Sequence, residues 1–205
     1  MDLAQWLSLV SLCLLGAMSP GPSLAAVMNN TLSGGHKAGY ITSIAHGVGV
    51  ALYGLLTVTG LAFVVTSTPA LFLTIQVAGS LYLIYLGIKS LRSTGAANFD
   101  PRAEKNHRGA AADGFLIAFL NPKLAVFMLA LFSQLLQPDS GATHKAIMVV
   151  TVGVTDALWY SLIAALVSYP AFYQRLKKNS VIIDRVFGVV LLLLGCSVLV
   201  RALMG

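Results

Sequence analysis

Pro22-Ser-Leu-Ala-Ala-Val-Met28 recurs one hundred positions later as Pro122-Lys-Leu-Ala-Val-Phe-Met128, and each copy lies inside a long apolar stretch. A second pair keeps the same order: Gly47-Val-Gly-Val-Ala-Leu-Tyr53 resembles Gly153-Val-Thr-Asp-Ala-Leu-Trp159 in the next apolar stretch of each half. In a chain this rich in Ala, Val, Leu and Gly, a single match of this quality arises easily by chance. Two in the same order point to a duplicated unit. Duplication combined with prolines inside hydrophobic spans is a pattern by which secondary transporters build a site near mid-membrane.

Composition sets the solvent. Charged residues are 10% of the 205, against roughly a quarter in soluble domains, and 57% are hydrophobic, so the chain belongs in a bilayer. It has room for six spans of about 20 residues and no soluble domain besides. The apolar segments fall at 3 to 28, 38 to 64, 70 to 88, 114 to 136, 146 to 169 and 181 to 203. Thr66-Ser-Thr-Pro69 divides the second from the third. Without that division, 51 residues free of Asp, Glu, Lys and Arg would separate Lys37 from Lys89, too many for one helix crossing about 30 Å of hydrocarbon. In the sixth segment Asp184, Arg185 and Arg201 are expected at the interfaces, the arginines snorkelling.

Basic residues orient the chain, because Lys and Arg accumulate in short cytoplasmic loops. Six spans put Lys37, Lys89, Arg92, Arg102, Lys105, Arg108, Arg175, Lys177, Lys178 and Arg185 on one side and only Lys145 and Arg201 on the other. Both termini are therefore expected outside. The domain reading is a three-helix repeat over 1–93, a basic cytoplasmic linker over 94–112 and a second three-helix repeat over 113–205, forming one membrane domain. Three spans is an odd number, so the repeats are inverted. The net charge of +6 is spread over three loops instead of one docking face, which argues against a nucleic-acid partner. No Lys or Arg precedes Lys37, so a cleaved signal peptide is not expected. Cys13 and Cys196 sit inside spans, outside any Cys-x-x-Cys or metal-ligand pattern, and are read as inert buried thiols.

Gly16-Ala-Met-Ser-Pro-Gly-Pro22 in the first span and Leu120-Asn-Pro-Lys123 in the fourth should break their helices at membrane depth and expose backbone groups there. A helix starting after such a break presents its positive end, which suits a carboxylate. One proline could merely kink a helix for packing; prolines at matching places in both halves favour a site. Lys123, Asp156 and His46 are ionisable residues deep in spans, where each costs roughly 3 kcal/mol or more if it faces lipid. At 1.5 Å per residue they lie about 15, 16 and 13 Å from the ends of their spans, all near the midplane. Thr42, His46, Gly49 and Tyr53 share one helical stripe, and Gly153, Asp156 and Tyr160 another. Asp156 reads as a carboxylate that alternates between a proton and an amino group, or else as a fixed partner of Lys123. His46 is a second proton-handling candidate, or a neutral hydrogen-bonded histidine.

Together these residues resemble the LysE/RhtB family of bacterial amino-acid exporters: Ser19-Pro-Gly-Pro22 in the first span, Asn121-Pro-Lys123 in the fourth, Asp156 in the fifth and a basic linker between three-span halves. The resemblance covers essentially the whole chain and is closest to the threonine, homoserine and leucine branch. It implies an all-α protein of the bacterial inner membrane that exports amino acids or close derivatives by proton antiport. It is not an enzyme, and has no catalytic residue, cofactor or metal. Substrate binding would fall to Ser19, Pro20, Gly21, Pro22, Asn121, Pro122 and Lys123, and proton coupling to Asp156 and His46. The partners implied are the amino acid, protons and the bilayer; a homo-oligomer stays open. Three other readings compete. A passive channel would use the same cavity without coupling. A thiol-redox carrier needs cysteines at matching places in the halves, which Cys13 and Cys196 do not occupy. An intramembrane hydrolase would have only Ser19 and His46 to draw on, without a nucleophile motif.

Overall fold

The computed structural model describes residues 1–19, 21–93, 109–136 and 140–204. It contains seven helices: α1 Leu3–Met18, α2 Pro22–Ser67, α3 Pro69–Leu91, α4 Ala110–Phe119, α5 Pro122–Leu135, α6 Ala142–Leu166 and α7 Pro170–Met204, with no strand among the described residues. Pro20 and most of the 94–112 linker lie outside the described residues.

The local chemistry explains where the helices begin and end. Asp2 opens α1 through a capping box, its carboxylate accepting from Gln5 N at 2.7 Å while Gln5 Oε1 accepts from Asp2 N at 3.1 Å. Ser19 closes α1 at φ −62°, ψ 125°, the extended conformation that a following proline imposes. Pro22 and Pro122 then occupy the first turns of α2 and α5, where a missing N–H removes no bond. Between α4 and α5 the axis bends by 55° at Leu120-Asn121.

The expected loop between a first span ending at 28 and a second starting at 38 is absent. Helix runs on from Pro22 through Asn29, Asn30 and Thr31 and is interrupted at Gly35 alone, which stands at φ 78°, ψ 177°. That conformation is open to glycine without a side-chain penalty. Thr31 stays helical by donating to Val27 O, and Asn30 by spending its amide across the turn on Thr42 Oγ1. In α7 the helix starts at Pro170, well before the expected 181, and exposes Arg175 and Lys178 along that extension. Asp184, expected at an interface, lies against the end of α3. Its side chain is buried and accepts from Ser93 Oγ at 2.6 Å, which ties α7 to the end of α3.

Four helical stretches are long and apolar enough to cross a membrane: Pro22–Leu61, Ala70–Leu91, Ala142–Leu166 and Lys178–Met204. The bent pair α4 and α5 makes a fifth, and α1 is apolar but shorter. The outer faces agree with a lipid environment. Ile44, Val48, Leu52 and Leu55 form an exposed stripe on α2, and Val150, Val154, Leu158 and Leu162 one on α6. The opposite stripes turn inward, burying Thr42, His46 and Gly49 on α2 and Gly153, Asp156 and Tyr160 on α6.

The central pairs cross antiparallel at glycines. A Cβ on Gly47 would stand 2.7 Å from Gly153 O, and one on Gly153 would stand 3.0 Å from Gly47 O. The α3/α7 pair repeats the device at Gly87 and Gly188, where an added Cβ on either would come within 2.9 Å of the other's carbonyl. Small residues let backbones approach this closely, which in a bilayer replaces the missing hydrophobic drive for helix association.

Candidate functional site

Both helix breaks open onto one cavity of about 60 Å³, room for roughly four waters at about 15 Å³ each or for a small solute. Ser19, Gly21, Pro22, Asn121, Lys123, His46 and Asp156 all line it. Pro122 lies between two lining residues without lining the cavity itself, and Pro20 falls outside the described residues.

The two breaks present different chemistry. Asn121 caps α5, its Oδ1 accepting from Lys123 N at 3.0 Å and Leu124 N at 3.4 Å. Those amides are therefore spent, contrary to the expectation that both new helix ends would offer free N–H groups. At the start of α2, Gly21 occupies the capping position and has no side chain to cap with. This helix end keeps its amides and its positive dipole for the cavity. On the α5 side the Lys123 side chain supplies the charge instead. Its ammonium donates to Ser19 Oγ at 2.6 Å and lies 4.3 Å from the centre of the Phe187 ring, so a hydroxyl and an aromatic face compensate it. The alternative in which Lys123 pairs with Asp156 is not what forms.

Asp156 meets His46, with Oδ2 and Nδ1 2.6 Å apart and both side chains almost fully buried. An ionised carboxylate only accepts, so in that state Nδ1 is the donor. The Tyr160 ring stands edge-on to His46 at 4.9 Å and fixes the imidazole plane. His46 Nε2 is buried without a hydrogen-bond partner. The pair is thus closed on the Nδ1 side and open on the Nε2 side.

Apart from Ser23 and Tyr160, the rest of the wall is apolar and includes Val50, Phe127, Met128, Val152 and Phe187, with Cys13 and Gly16 from α1. Sequence reasoning missed Phe187, because it lies in the segment with the most ambiguous boundaries. It dismissed Cys13, although Cys13 stands one turn from Gly16 on the same face of the motif-bearing helix. Ser19 does not bond His46; its hydroxyl is engaged by Lys123.

Residues 14–202 match the family described as LysE type translocator. The chain belongs to that family. Its members are transporters, so this is a multi-pass membrane transport protein. Among its relatives is the "Uncharacterized membrane protein YrhP" of Bacillus subtilis (strain 168), 23% identical over 200 residues that cover 92% of this chain and 95% of the relative. An "Uncharacterized membrane protein" of Haemophilus influenzae is 27% identical over 197 residues, 93% of each chain. No solved structure matches. Within this LysE-type chain the two proline motifs, the intramembrane lysine and the His46–Asp156 pair share a single cavity.

Proposed function

We propose that the protein exports amino acids or close derivatives across the cytoplasmic membrane by proton antiport, using alternating access. The observation that carries the reading is the charge layout of the cavity. A cationic end, formed by Lys123 and the uncapped start of α2, stands with a proton-handling pair, His46 and Asp156, around an apolar wall. A zwitterion has the complementary pattern: its carboxylate goes to Lys123 and the α2 amides, its ammonium to Asp156, and its side chain to the wall. Ammonium binding displaces the proton from the His46–Asp156 pair. Return of a proton releases the substrate outside.

Six spans as two inverted repeats belong to the same proposal. The break at Gly35 divides α2, so that α1 with 22–34 becomes a broken span matching α4 with α5. The second span, 36–67, then corresponds to α6, and α3 to α7. The reciprocal glycine contacts, Gly47 with Gly153 and Gly87 with Gly188, support a pseudo-twofold axis between equivalent, oppositely running helices. The distribution of basic residues supports an orientation with both termini outside.

The decisive experiment feeds dipeptides to cells with and without the protein and measures which amino acids leave. Export against a concentration gradient that stops on adding an uncoupler supports the reading; downhill movement alone would make the protein a passive channel. One contact favours a second reading, because Lys123 bonded to Ser19 is also the arrangement of a serine–lysine hydrolytic dyad. A fluorophosphonate probe separates the two: the transporter leaves Ser19 unlabelled, while labelling lost in Ser19→Ala would establish the hydrolase.

A further inference from the structure

Polar side chains tie the helices together around the Gly35 turn. Asn30 Nδ2 donates to Thr42 Oγ1 at 2.9 Å and to Asp113 Oδ2 at 3.4 Å, joining both segments of α2 to the first turn of α4. Beside it, His36 Nδ1 donates to Ala164 O at 2.9 Å and joins the same turn to α6. The helices are in backbone contact there, since a Cβ on Gly114 would overlap the Thr42 carbonyl. Asp113 Oδ1 is buried without a partner, which leaves the cluster incompletely satisfied.

The repeat offset is one hundred positions at Pro22/Pro122 and 106 at Gly47/Gly153. By these offsets the counterparts of Asn30, Asp113 and Thr42 are Ala130, Cys13 and Met148. All three belong to the buried apolar core, so the cluster has no polar counterpart at the corresponding positions of the other half.

The geometry points to a polar latch on the cytoplasmic entrance: the Asn30–Thr42–Asp113 cluster holds it shut across the Gly35 hinge, whereas the corresponding positions at the outer end, Ala130, Cys13 and Met148, are packed apolar side chains. The inference rests on the export reading for its two-sided cycle and its orientation. Physically, the two closures respond to different things. Hydrogen bonds break one at a time and can be replaced by water or by a polar solute arriving from the cytoplasm, and the unpartnered Asp113 oxygen is where such a group would first bond. Apolar packing offers an arriving polar solute no such exchange. The latch must yield each time the cavity faces inward, so its loss shifts the population toward the inward-open state.

The test needs no substrate, so it is independent of whether the cargo is an amino acid. In a Cys196→Ala background Cys13 is the sole thiol, and it lines the cavity. Its rate of modification by a membrane-impermeant maleimide is measured in inside-out and right-side-out vesicles. Asn30→Ala and the near-isosteric Thr42→Val should each raise the rate from the cytoplasmic face by roughly fivefold, what losing one ordinary hydrogen bond gives, and leave the external rate unchanged. Thr42→Ser, which keeps the hydroxyl, should label like wild type. Met148→Ala should instead raise the external rate. Wild-type cytoplasmic rates in both latch variants would overturn the inference, as would equal rises from both faces, which indicate general loosening. A rise from the outer face alone would overturn the assignment to the cytoplasmic entrance.

Discussion

Asp156, which is buried, and Lys123, which is half-buried, are ionisable residues in the same cavity, yet each is compensated separately. Asp156 is compensated by a group that can itself gain or lose a proton, and Lys123 by a hydroxyl and a ring that cannot. Under the proposed export cycle, this division suits the carboxylate pair to coupling and the lysine to holding the substrate carboxylate. Asp156→Asn keeps size and hydrogen bonding to His46 but cannot ionise. It should abolish export driven by a pH gradient, while Asp156→Glu retains part of it; both are read as amino-acid efflux from energised vesicles at matched expression. If the Asn variant still exported uphill and still collapsed with an uncoupler, His46 would have to carry the coupling alone. Lys123→Met removes the anchor for the carboxylate and should raise the KM for export about tenfold or more, the loss expected for one charge-assisted bond, with membrane insertion unchanged. Seven of the nine residues singled out from sequence line the cavity, because charge and proline inside an apolar span are rare and need a reason to be there. What sequence did not reveal was the pairing. Whether Asp156 meets Lys123 or His46 depends on helix rotations and side-chain reach that spacing does not encode.

Among the elements, the broken helices and the glycine crossings impose opposite demands on substitution. Gly21 is extended at φ −178°, and a Cβ there would meet only Ser19 O at 3.9 Å, so the fold has space for a side chain. Gly21→Leu should therefore insert and fold normally yet lose export, its side chain filling the cavity beside the α2 amides. Normal export by this variant would reduce the proline motif to a kink. Gly47 is the contrary case. A Cβ there would press on the Gly153 carbonyl at 2.7 Å, a backbone atom that cannot step aside. Gly47→Ile should separate α2 from α6 and destabilise the protein by about 1 to 3 kcal/mol, the usual penalty for overpacking, seen as a lower melting temperature in detergent. The breaks at Pro22 and Pro122 were legible because proline acts on its own backbone and on the residue before it. The turn at Gly35 was not: Gly34-Gly35 lies in a polar stretch that reads equally well as a loop, and the contact of Asn30 with Thr42 across the turn is not visible in spacing.

At the level of the whole molecule, all-helical class and membrane environment follow from composition and run length, which report directly on solvent. Repeat symmetry is harder to read, because four identities in seven are diluted by an alphabet of Ala, Val, Leu and Gly. The proposed symmetry draws its support from space instead, from glycines of the two halves that approach one another. An inverted repeat has a topological consequence that ordinary helix packing does not. Each half must cross the membrane an odd number of times, so the whole crosses an even number and both ends lie on one side. On the proposed topology, the distribution of Lys and Arg favours the outside for that side. A reporter active only outside the cytoplasm, fused after Gly205, should therefore be active, as should the same reporter placed before Met1, and one inserted in the 94–108 linker should be silent. The proposal depends most on the C-terminal fusion. A cytoplasmic C-terminus with an external N-terminus would require an odd number of spans, with either α1 or the α4–α5 pair failing to cross. The two halves could not then be equivalent, and the Gly47–Gly153 contact would be a packing coincidence instead of the axis about which the cavity changes sides.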